Sequence, residues 1–210
     1  MGRLLRSLPV LVLVLMSVAC TTPQASVSTA SPAKVADTKA ALRDLWLGHI
    51  LGIRNVAVAT MDKNAAARET AEKNVVTNAQ QIAASIEPFY GKAASDKLFA
   101  LLARHCGAIR DDLDATVAGD AAQQEAAVKA LTANVAEIST FLSGANPYLP
   151  KDAVMGLLMA HAAHHIQEFQ QLKVGEYAQE AETWNGMKKH IYVIADTLTG
   201  ALAQQFPAKF

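Results

Sequence analysis

Leu101-Leu102-Ala103-Arg104-His105 returns 56 residues later as Leu157-Leu158-Met159-Ala160-His161, and stands 56 residues after Leu45-Trp46-Leu47-Gly48-His49. Each stretch places apolar residues three and four positions before a histidine, the spacing of one helix face. The same offset relates Gly119 to Gly175, Leu142 to Leu198, Ile82 to Ile138 and Ile194, and Asn78 to Asn134 and His190. A unit of this length suits one helical hairpin. The chain therefore predicts an all-α fold: an up-and-down bundle of about six helices built from three repeated hairpins with a 56-residue period. The first helix of each hairpin carries a histidine, and the second carries Asn or His.

Breakers divide the chain at Met61 to Asn64, Pro88 to Gly91, Gly119-Asp120, Gly144 to Pro150 and Gly175-Glu176. They set helices at 37–61, 65–87, 95–118, 121–143, 151–174 and 177–205, with Ser95 and Asp152 at N-caps or in first turns. The composition agrees. Of 210 residues 51% are apolar, enough for a sizeable core, and alanine rather than aromatic residues dominates. The formal net charge is zero, and the chain shows none of the clustered basic residues of a nucleic-acid-binding face.

The recurring polar residues fall on core faces. His105 lies within the stripe Leu98, Leu101, Leu102, Ile109, Leu113, Val117, and Asn134 within Val128, Leu131, Ile138, Phe141, Leu142. His49 keeps company with Leu45, Trp46, Ile53 and Val56, and Asn78 with Val75, Ile82 and Ile86. His105 and Asn134 stand equally far from the Gly119-Asp120 turn, as His161 and His190 do from Gly175-Glu176. Equal distances place partners level across a hairpin. Three polar pairs follow: His49–Asn78, His105–Asn134 and His161–His190, sharing one layer if the hairpins pack with matched ends. A His–Asn pair can serve as a buried register device, because an Asn amide both donates to and accepts from imidazole.

The third hairpin departs from this pattern towards metal chemistry. Asn becomes His190, the Ile of positions 53 and 109 becomes His165, and Glu168 and His164 lie near. His161 and His165 are four apart on one helix face, a chelating arrangement for a transition metal such as Zn, Cu or Ni. The candidate ligands are His161, His165, His190 and Glu168, with Met187 one turn from His190. The competing reading leaves His161–His190 as a third polar pair. A di-iron bundle would need paired Glu-x-x-His motifs, and only a reversed His165-x-x-Glu168 is present. Haem-attachment, phosphate-loop and nucleophile-elbow motifs are absent, so the sequence holds no positive sign of an enzyme.

The N-terminus reads as an export signal. Arg3 and Arg6 precede the apolar run Leu8 to Val18, which is shorter than the roughly 20 residues of a membrane-spanning helix. Ser17-Val18-Ala19-Cys20 resembles a lipobox; ordinary cleavage after Ala19 is the alternative. The expected organisation is a signal peptide over 1–19, lipidated Cys20 with a flexible tether over 20–36, and a bundle domain over 37–210. The lipid would hold the chain to a membrane of the cell envelope. Thr21, in place of an inner-membrane-retaining Asp, favours the periplasmic face of the outer membrane, where an envelope protein is the expected kind of partner. Cys106 is then a lone thiol, either a buried small residue or a soft metal ligand.

The run Asn146-Pro147-Tyr148, the His/Asn hairpin pattern, and the ending from Ala195-Asp196-Thr197-Leu198 through Gln205-Phe206-Pro207 resemble a group of uncharacterised bacterial helical proteins. Some of these carry enzyme names, acetylglutamate kinase or glycosyltransferase, that their sequences do not support. The resemblance spans about 40–210 and implies a helical bundle with no established catalytic residues. The leader, His165 and His190 depart from it. Two functions are therefore expected to compete: an envelope lipoprotein that binds a transition metal or small ligand through a buried His/Asn layer, and a non-enzymatic structural or protein-interaction lipoprotein whose His/Asn pairs only fix helix register.

Overall fold

The computed structural model describes residues 29–210, and all its regular structure is helical: α1 (Pro32–Met61), α2 (Ala65–Ala84), the single turn α3 (Glu87–Tyr90), α4 (Lys92–Ala118), α5 (Ala121–Ala145), α6 (Lys151–Val174), α7 (Tyr177–Gln205), and a closing 3-10 turn at Pro207–Lys209. Cys20, residues 1–19 and the tether up to 28 lie outside the described residues. None of the described helices is long and apolar enough to cross a membrane.

The six long helices follow the apolar period closely, and the differences have local causes. α1 begins at Pro32, earlier than expected, with proline in its first turn, where a missing N–H costs nothing. Pro88 ends α2 early and seeds α3. Asp152 occupies the first turn of α6 as expected. Ser95 does not cap; its buried Oγ donates to Ala83 O of α2, tying α4 to its neighbour. Val117 is exposed, the last turn of α4 burying Ala115 and Thr116 instead.

Gly119 and Gly175 close α4 and α6 in the left-handed conformation, with φ of 74° and 76°. After Gly119, Asp120 accepts from the backbone N–H groups of Ala122 and Gln123; Asn64 likewise accepts from Ala67 N at the start of α2. Glu176, before α7, makes no such bond.

Packing forms a ring: α1 touches α2, α2 touches α4, α4 touches α5, α5 touches α6, α6 touches α7, and α7 returns to α1. Inside the ring α1, α4 and α6 also touch one another. These three helices carry His49, His105 and His161. The apolar core divides around that level. One cluster holds Leu42, Trp46, Leu98, Leu102, Val154 and Leu158; the other holds Ile53, Ile109, Leu113 and Phe169.

Replacing Asp120 by Ala removes the only side-chain acceptor for two orphan N–H groups and should lower stability by about 1 kcal/mol in urea unfolding. Glu176→Ala, at a helix start with no side-chain cap, should change it by less than ~0.5 kcal/mol.

Candidate metal centre

His49, His105 and His161 are buried where α1, α4 and α6 meet, and one ring nitrogen from each lies within 4.8 Å of the other two. A metal–imidazole bond of about 2.0–2.1 Å sets ligand nitrogens roughly 3.3 Å apart, so small side-chain rotations would bring all three onto one ion. His165, one turn beyond His161, is fully buried beside them; its ring centroid is 4.6 Å from that of His161 and 6.1 Å from that of His49.

The outer helices are tied to the triad helices, and one of them orients a triad ring. Asn134 Nδ2 on α5 donates to Leu101 O at 3.1 Å, which turns its Oδ1 to His105 Nδ1, also at 3.1 Å. A carbonyl oxygen only accepts, so Nδ1 of His105 carries the proton and Nε2 keeps its lone pair. That is how metal-bound histidines are usually held: one nitrogen donates to an oxygen and the other is left to the ion. Asn78 on α2 makes the matching bond to Leu45 O at 2.9 Å. Its Oδ1 and His49 Nδ1 are both buried and without a hydrogen-bond partner, so this pair does not close as His105–Asn134 does. His190 on α7 bonds Leu157 O at 2.8 Å. Because a carbonyl accepts, Nε2 of His190 is the protonated nitrogen, and the residue holds its helix as the asparagines hold theirs. In all three cases the carbonyl belongs to the residue four before the triad histidine.

Burial dominates the electrostatics. It pushes His49 and His161 well below the usual histidine pKa, and neighbouring imidazoles, His165 foremost, push the same way. His105 falls to about 4 through burial and His165, against the opposing bond from Asn134. The triad is therefore neutral at physiological pH, the state in which imidazole binds metals. Both nitrogens of His161 and of His165 are buried without hydrogen-bond partners. Unpaired buried polar atoms cost about 1–3 kcal/mol each, so their concentration at one point marks a place shaped for something beyond packing.

Below His165 the centre is charged. Glu168 is fully buried, with Oε2 3.5 Å from His165 Nδ1 and Oε1 accepting from Arg54 Nη1 at 2.8 Å. Arg54 also donates to buried Glu180 at 3.0 Å and lies over the Trp184 ring. Asp112 on α4, 56 residues before Glu168, is buried as well, both carboxyl oxygens without a hydrogen-bond partner, its pKa raised by burial. On the other side lies an apolar cavity of about 60 Å³ lined by the triad, Leu42, Trp46, Leu98, Leu102, Leu158 and other aliphatic side chains. Cys106 also borders it; burial raises its thiol to about 12, so it is a protonated apolar group rather than a thiolate ligand.

The structure thus unites His161 with His49 and His105, and sets His165 beside them. Glu168 is engaged with Arg54. His190 does not join the triad; its ring lies 5.5 Å from that of His164, and its Nε2 is held by Leu157 O. Met187 is buried in the apolar core. The signal for the triad was the recurrence of His itself at one position of three helices; its meaning depended on those helices being the inner ones. Nothing in the spacing marked Arg54 or Glu180.

In comparisons with family models, curated proteins and solved structures, none matches the chain.

Each triad imidazole titrates lower in the folded chain than in the unfolded one. The metal-free protein should therefore keep its full stability above pH 6.5 and lose it as pH falls from 6.5 towards 4, where only the unfolded chain takes up these protons. For His105 alone the shift from 6.5 to about 4 corresponds to roughly 3 kcal/mol. Urea unfolding of chelator-treated protein across this range should show the fall, and H105L should flatten it; equal slopes would mean that His105 titrates normally. Arg54→Ala, which strands two buried carboxyl groups, should cost about 3–5 kcal/mol in the same assay, far more than a surface arginine.

Proposed function

We propose that this chain is an envelope lipoprotein, lipidated at Cys20, that binds a transition metal (Zn, Cu or Ni) through His49, His105 and His161. The observation that carries this reading is the convergence of three neutral, buried ring nitrogens within 4.8 Å. Imidazole donors favour these ions over Mg or Ca, which prefer oxygen. Asn134 orients His105 from its outer helix, Asn78 and His190 tie their helices to the carbonyls of Leu45 and Leu157, and His165 stands beside the triad. The domain is read as three copies of one hairpin in up-and-down order, each copy contributing one ligand. The bonds from residues 78, 134 and 190 to carbonyls 45, 101 and 157 support that reading.

Those same bonds favour a second reading, in which the polar layer only fixes helix register and the chain serves as a structural or interaction protein. Elemental analysis separates the two. The domain, purified without affinity tag or chelator, should carry about one metal per chain, or take one up from Zn²⁺, Cu²⁺ or Ni²⁺, and H105A and H161A should lose it. Asn134→Ala should weaken binding by about 10–100-fold while leaving the ligands in place. A wild-type protein that takes up none of these ions leaves the register reading.

A further inference from the structure

The triad has two unlike faces. His165, fully buried, stands one helical turn beyond His161 on one side. The cavity lies on the other, walled by residues one and two turns before the triad histidines: Leu42 and Trp46 on α1, Leu98 and Leu102 on α4, Val154 and Leu158 on α6. His165 is not part of that wall, whereas all three triad histidines are. An ion on the triad would therefore present one coordination position to the cavity.

The wall decides what can fill that position. It contains no Lys or Arg, so an anionic ligand finds no counter-charge there. Near the triad it is aliphatic apart from the Cys106 thiol and Trp46, whose buried indole N–H has no partner, so water finds little there to hold it besides that one donor. At about 60 Å³ the space admits molecules of only a few heavy atoms. At its far end Tyr90 accepts from Asn146 Nδ2 at 2.9 Å and donates to Gln205 at 2.7 Å, tying α3, the α5–α6 link and α7 together beside the Phe89, Phe206 and Phe210 rings. A ligand for this position must be small, uncharged, soluble in an apolar space and able to give a lone pair to a metal.

Resting on the metal reading above, we infer that the triad-bound ion takes carbon monoxide, a neutral diatomic gas, from the apolar cavity, as a gas-binding centre. The step is reversible coordination: the ligand's lone pair forms one bond to the metal, and nothing is oxidised or released. Cu(I) suits both halves of the site, since it is stable with three imidazoles and holds neutral soft ligands.

The test uses the whole domain loaded anaerobically with Cu(I) and exposed to carbon monoxide, with copper content and the infrared carbonyl stretch read on the same samples. One copper per chain with one narrow carbonyl band is the expected result. Leu158→Phe, which pushes a ring into the cavity one turn from His161, should keep the copper and weaken carbonyl binding at least tenfold. Ile138→Phe, filling the wall from α5, should do the same if the first variant folds poorly. Copper retained without a carbonyl band, or a band that both filling variants leave unchanged, overturns the gas-binding inference and spares the metal reading. Failure to retain copper, together with no uptake of Zn²⁺ or Ni²⁺, overturns both.

Discussion

Three uncharged imidazoles meet where three helices touch, and the rest of the molecule is arranged around the difficulty of keeping them there. Each ring is removed from water, and each must find a partner for a polar nitrogen or carry the cost. The outer helices answer with an Asn, an Asn and a His, each anchored to a carbonyl one turn before the histidine it backs. Only the middle pair closes fully, through His105 and Asn134. What is left over is a set of nitrogens held neutral by burial and aimed at one small volume.

The bundle is graded along its axis. From the Tyr90 end to the triad the interior is apolar and contains a cavity; beyond the triad come His165, then Glu168 with Arg54 and Glu180. The gradient arises because α6 carries His165 where α1 and α4 keep Ile53 and Ile109, and because Glu168 follows it one turn on. Arg54, on the first hairpin, then neutralises the buried carboxyl groups of the third. The site thus acquires a dry side and a charged side.

Much of this was legible in the chain. The 3- and 4-residue spacing of apolar side chains located all six long helices, since burial of one face is what stabilises a helix in a bundle. The histidines and asparagines could be assigned to core faces because they interrupt those stripes in phase. What could not be read was which helices are inner. A stripe shows that a face is buried but not against what, so His161 was matched to His190 across its own hairpin rather than to His49 and His105 across the bundle. Glu168 was visible as an acid beside the histidine cluster, but its partner Arg54 lies 114 residues away and no local pattern links them.

The triad draws one residue from each of three helices that lie far apart in the sequence, with long stretches of chain between them. Hairpins close through local contacts and need no help from the centre to form; the centre exists only once all three have docked. An ion there would act as a late rivet. It would leave the rate of folding nearly untouched and slow the rate of opening, because its bonds are absent from any state in which one hairpin has swung away. The loaded protein would then be long-lived rather than merely stable.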